Sequence, residues 1–164
     1  MKKIRIKKKP PQPKREVSKH PNSHARLVAL QALYQLEVVH HSLVEVLEFR
    51  WLNQPLNEKE KDLAVQLIEG VAEIEDKIDE VVNDYIHKDA SQISTIVRSI
   101  LRMATYEILK GRFDIRILLD DYCNLTRRYD GEPSVGFVNG TLNHIYQDHR
   151  ANQEGSDGEE SIDV

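Results

Sequence analysis

The segment 97–110, VRSILRMATYEILK, constrains the fold more than any other part of the chain. Val97, Ile100, Leu101, Ala104 and Ile108 recur at helical spacing and share one face. Ile96 and Met103 widen that face at one border. Arg98, Arg102 and Tyr106, four apart, form a separate stripe on the far side. Gly111 follows and can take the left-handed conformation that ends helices. A helix with so broad an apolar face must be packed on two sides, so the rest of the chain has to supply partners.

Those partners read as helices. Asn22 or Ser23 can cap a helix over HARLVALQALYQLEVVHH, whose apolar residues cover most of its surface and leave Arg26, Gln31 and Gln35 for the edges. Residues 43–52 give a shorter helix with Trp51 facing the core, ended by Pro55. Asn57 with Glu60 forms a capping-box pattern that opens a long helix over 58–86, where Gly70 marks a close helix crossing. Another helix spans about 118–129 and is ended by Asp130, Gly131 and Pro133. Ser134 caps the last one, SVGFVNGTLNHIYQ, in which Gly140 marks a second close approach. The fold class is all-α, about six or seven helices in two small packed subdomains, about 23–90 and 91–147.

Charge is strongly segregated in a chain of 164 residues with net charge −4. Residues 1–22 hold nine Lys or Arg and one Glu, while residues 147–164 hold six acids and one Arg. The middle carries about −7. Four prolines in 1–22 and few apolar groups predict a disordered basic arm, which phosphates attract through counterion release. The Gly, Ser and acid composition predicts a disordered acidic tail over 148–164. No run of 18 apolar residues exists, and no apolar stretch follows the basic start as a secretory signal would require. The single cysteine, Cys123, forbids an internal disulfide and fits a reducing compartment. A cytoplasmic protein is expected.

Catalytic and metal chemistry find little support. His40 and His41 are adjacent and point apart, and Pro21 separates His20 from His24. His144 and Asp148 share a helix face but make only two ligands. Cys123 reads as a small apolar filler, and Asp120 and Asp121 as solvated or capping groups. Glu107 borders the apolar face of the 97–110 helix, where a structural role as a cap or ion-pair partner is expected. No nucleophile, base and orienter assemble. The expectation is a binding protein without catalytic residues, metal or cofactor, rather than an enzyme.

Three segments together carry a resemblance. ARLVALQALYQLE at 25–37, VRSILRMATYEIL at 97–109 and FVNGTLNHI at 137–145 resemble, in order and spacing, the NusB family of bacterial transcription antitermination factors across roughly 23–147. The resemblance implies binding of the boxA element of nascent ribosomal RNA leader transcripts together with NusE, a ribosomal small-subunit protein. It also implies a place in the RNA polymerase antitermination complex, promoting read-through; a homodimer is left open. Carried over by position, the RNA-binding residues are Lys14, Arg15 and Lys19 of the arm, Arg26, Tyr34 of the ALY motif, Arg98, Arg102, and Phe137 of FVNG. The chain departs from the family at Val97, where an acid is usual, and at 120–126, DDYCNLT against NExxELA. The same domain occurs fused to ribosomal RNA cytosine methyltransferases, but no cofactor-binding domain is expected here. The competing reading is a helical protein–protein scaffold with lost or altered RNA binding. It gains if Arg26, Arg98 and Arg102 lie apart with carboxylates between them.

Overall fold

The computed structural model describes residues 20–86 and 90–156. Among them lie seven α-helices and no strand: α1 Ser23–Tyr34, α2 Leu43–Leu47, α3 Glu58–Glu73, α4 Glu75–Asn83, α5 Thr95–Lys110, α6 Ile115–Tyr129 and α7 Val135–Ser156. The chain is all-α, as its periodicity requires.

Helix α5 is the axis of the molecule. Val97, Ile100, Leu101, Met103, Ala104 and Ile108 are all buried. α1, α3, α4, α6 and α7 all pack on it. One continuous apolar core runs through it, from Leu30, Leu67 and Ile78 to Tyr122, Leu142 and Ile145. Ser94 caps its start by accepting from the Val97 N–H at 3.1 Å, and Gly111 ends it at φ +63°.

The stripe of Arg98, Arg102 and Tyr106 does not face open water. It is half-buried and meets neighbouring helices. Tyr106 lies over Gly70 of α3, so closely that a methyl group at Gly70 would sit 2.2 Å from its Cζ. The glycine expected at a helix crossing is therefore required there. Gly140 is different: a methyl group on it would meet nothing within 4 Å, so no close approach explains it.

Several expected elements break earlier or run further. The helix expected over 58–86 is two, divided at Ile74, which leaves the helical region at φ −117° and ψ 26°. No proline or glycine marks this break, and the apolar phase continues through Ile78 and Val82. The bend lets α4 reach α5 and α7 while α3 packs on α1 and α5. α2 is one turn and a half, opened by a capping box between Ser42 and Glu45; Trp51 follows it, half-buried, donating its indole N–H to the Val46 carbonyl at 3.0 Å. The Asn57–Glu60 capping box is present. Neither Asn22 nor Ser23 caps α1 with its side chain; Ser23 is turned toward Asp121 instead. α6 starts at Ile115, where Asp114 caps it by accepting from the Arg116 N–H at 2.8 Å. The tail expected from residue 148 is helical through Ser156, because α7 simply continues. Its rest, 157–164, lies outside the described residues, as does the arm expected over 1–22 as far as residue 19; residues 20–22 form a turn into α1.

Candidate nucleic-acid interface

The residues proposed for RNA fall into three environments. Lys14, Arg15 and Lys19 lie outside the described residues. The point where that arm joins the body is well defined. His20 Nε2 is 2.8 Å from Asp120 Oδ2, and Ser23 Oγ donates to Asp121 Oδ1 at 2.5 Å. The described chain therefore begins beside α6.

Arg26 is a correction. Expected at an edge, it is wholly buried, with 0% exposure. Its Nε and Nη2 grip Glu107 in a fork, at 2.9 and 3.1 Å, and its Nη1 donates to Asp121 at 2.5 Å. The Tyr122 hydroxyl donates to Glu107, and the guanidinium carbon lies 5.0 Å from the Phe113 ring centroid. Burial by itself would lower the Arg26 pKa; the bonds to Glu107 and that carboxylate's charge outweigh it, and the net shift is upward. Arg26 thus ties α1 to α5 and α6 and offers nothing to a phosphate. Asp121, expected to be solvated or capping, is buried with it, while Glu107, expected to be a cap or an ion-pair partner, is the ion-pair partner. A sequence signal existed. Arg26, Leu30 and Leu33 fall on one helical stripe, Asp121 stands between Leu118 and Leu125, and Glu107 stands between Ala104 and Ile108. A cation and two acids, each within an apolar stripe, point to one another.

Arg98 and Arg102 are also met by carboxylates. Arg102 grips Asp79 through Nε and Nη2, both at 2.8 Å. It also reaches Glu75 at 3.1 Å and Glu37 at 3.4 Å. Glu37 lies 3.6 Å from Arg98. Burial pulls the Arg102 pKa down, and Asp79, Glu75 and Glu37 more than restore it. Carboxylates do lie between the arginines, the arrangement that favours the scaffold reading.

Tyr34 and Phe137 stand in a third environment, around the α6–α7 turn. Asp130 fixes that turn. It accepts from Ser94 Oγ at 2.7 Å, the residue that caps α5, and from Ser134 Oγ just before α7. Ser94 precedes Arg98 by one helical turn, and Ser134 precedes Phe137 by three residues. On the facing helix, Gln31 reaches the Tyr129 hydroxyl at 3.4 Å, and Tyr34 follows Gln31 by one turn. The C-terminal end of α1, the start of α5, the end of α6 and the start of α7 therefore converge. Tyr34 is 36% exposed; Phe137 is half-buried against the core. His144 and Asp148 do not form a pair, since Asp148 accepts from the Tyr85 hydroxyl at 2.7 Å. Among the described residues no group of three or more His, Cys, Asp or Glu is placed to hold a metal ion. Among them, no helix is long and apolar enough to cross a membrane.

The described residues form an all-helical body built on one shared central helix. Its family follows from comparison: the model of the NusB family matches residues 23–147, and the chain belongs to that family. The transcription antitermination protein NusB of Leptospira biflexa is 32% identical over 124 residues, 74% of this chain and 89% of its own length. That of Thermotoga maritima is 30% identical over 133 residues, 80% of this chain and 94% of its own. A solved structure of Thermotoga maritima NusB superposes with a TM-score of 0.72 at 32% identity, covering 79% of this chain and 93% of that one. A crystal structure of the antitermination factors NusB and NusE in complex with double-stranded RNA shares the fold, with a TM-score of 0.66 at 22% identity.

Proposed function

We infer that this protein is an RNA-binding transcription antitermination factor. It binds the boxA element of nascent ribosomal RNA leader transcripts together with a NusE-type ribosomal protein, in the cytoplasm, and helps RNA polymerase read through terminators. The observation that carries this reading is the match of residues 23–147 to the family, joined to a segment with nine Lys or Arg within residues 1–19. Lys14, Arg15 and Lys19 supply the long-range attraction to phosphate. Tyr34, Arg98 and Phe137 supply local contacts near the α6–α7 turn. Arg26 has no part in it, and Arg102 serves chiefly to hold α4 against α5.

The test is deletion of residues 1–19, with circular dichroism as the folding control. Labelled boxA RNA, with and without NusE, is titrated at several salt concentrations. The truncated chain should stay helical and bind more weakly. For every phosphate that the arm no longer neutralises, the salt slope of log K should fall by roughly 0.7 for single strands or 0.9 for duplex. Equal affinity and slope for both chains would remove the arm from the RNA site. The scaffold reading is favoured by the carboxylates around Arg98 and Arg102. It is supported if NusE binds the full chain and RNA does not bind at any salt concentration.

A further inference from the structure

An exposed tyrosine and an exposed arginine lie together where α1 faces the end of α6, and the carry-over from the family assigns neither of them. Tyr129 is 36% exposed, and the guanidinium carbon of Arg128 lies 5.3 Å from its ring centroid. Among the described residues the Tyr129 ring is the partner of Arg128, whereas the neighbouring Arg127 is taken up by Glu132 and by Asn124 at 2.8 Å. Gln31 holds the Tyr129 hydroxyl, and the next residue, Asp130, is tied to both Ser94 and Ser134. The ring is thus fixed at its base and at its tip, yet open to solvent.

We propose that Tyr129, with Arg128 lying over its ring, is a stacking platform for an unpaired base of single-stranded RNA. The proposal rests on the RNA-binding reading above. A rigid aromatic ring gives a base a flat apolar face without a large loss of side-chain freedom, and a guanidinium beside it adds attraction to the base and to the nearby phosphate. Ser23–Asp121 and Gln31–Tyr129 link α1 to α6 at the same interval of eight residues, so the two helices run in the same direction from the first described residues toward Tyr129. From Ser23 to Gln31 is about 12 Å along α1. A strand attracted by the arm is thereby led toward Tyr129, with Tyr34 one turn beyond.

The experiment titrates the full chain with a short labelled single-stranded RNA of mixed sequence, and with the same RNA as a duplex. Tyr129→Ala should raise the single-strand Kd roughly tenfold or more while leaving the salt slope unchanged, because a stacked ring carries no charge. Tyr129→Phe keeps the ring and should bind like the parent. Arg128→Ala should weaken single-strand binding several-fold. Duplex binding should change little, because its bases are already stacked on each other. Parent-like single-strand affinity of Tyr129→Ala would overturn the platform and leave the RNA reading intact. Tyr129→Phe as weak as Tyr129→Ala would overturn it too, by showing that the hydroxyl matters and the ring does not. A parent that binds neither RNA would overturn the proposed function along with it. A shift from dimer to monomer in Tyr129→Ala with unchanged RNA affinity would make this face an interface between copies and overturn the platform.

Discussion

Two arginine clusters stand on opposite faces of α5, alike in chemistry and different in their access to water. In one, Arg26 meets Glu107, Asp121 and Tyr122 where all four are buried. In the other, Arg102 meets Asp79, Glu75 and Glu37, with Arg98 at the far side of Glu37; here the carboxylates are a third to a half exposed. Both tie helices together. In the sealed cluster, removing a partner leaves a charge that water cannot reach. In the open cluster, water replaces the partner and the cost is small. The open cluster is also the one whose arginines can change partners, so only there can an ion pair and a phosphate compete.

The largest effect should come from breaking the sealed cluster. Arg26→Met strands Glu107 and Asp121 and should cost about 3–5 kcal/mol of stability, read from the denaturant midpoint. Adding Glu107→Gln and Asp121→Asn should restore part of it. A midpoint unchanged by Arg26→Met would show the two clusters to be equivalent.

Alkaline pH offers a gentler probe of the same seal. Burial first, and the Glu107 charge second, push the Tyr122 hydroxyl well above its ordinary value. The neutral form is therefore favoured in the folded state. That contribution is full below about pH 10, where the unfolded tyrosine titrates, and is lost as pH rises through and beyond that value. Tyr122→Phe should cost about 0.5–1.5 kcal/mol at neutral pH and should flatten the fall in stability above about pH 10. Parallel alkaline limbs for the two proteins would mean that water reaches Tyr122.

Smaller changes are expected in the open cluster. Arg102→Ala should cost about 1 kcal/mol, and Arg98→Ala should stay within about 0.5 kcal/mol, in thermal unfolding at low salt. Glu37→Gln should leave stability nearly unchanged and strengthen RNA binding, because it removes an acid that competes for Arg98. Unchanged or weaker RNA binding by Glu37→Gln would mean that Arg98 does not touch a phosphate.

The elements were legible in the sequence where the signal is local. The α5 face, the Gly111 stop, the Asn57–Glu60 cap and the Gly70 crossing all follow from spacing within one or two helical turns. The division at Ile74 was not legible, since the apolar phase passes through it unbroken and no breaker residue marks it. The short α2 was overread because Trp51 keeps the apolar pattern after the helix has ended. Gly140 differs: a glycine inside a helix marks a crossing only where a neighbour comes close, and none does.

The candidate site was less legible than the fold. Arg26, Arg98 and Arg102 stood out as cations at helical positions, which is as far as a one-dimensional pattern reaches. Their partners lie 81 and 95 residues away for Arg26, and 23 and 65 for Arg102. Tyr129 and Arg128 looked like the ordinary last turn of a helix until Gln31, 98 residues away, was placed beside them. By itself, then, the sequence determined which segments are helical, which faces are apolar and where positive charge accumulates, because propensity, periodicity and composition are properties of neighbours along the chain. Only the tertiary structure decided whether each arginine faces a carboxylate, a ring or open water. That choice depends on which helices lie side by side, and packing brings together residues that no local pattern connects.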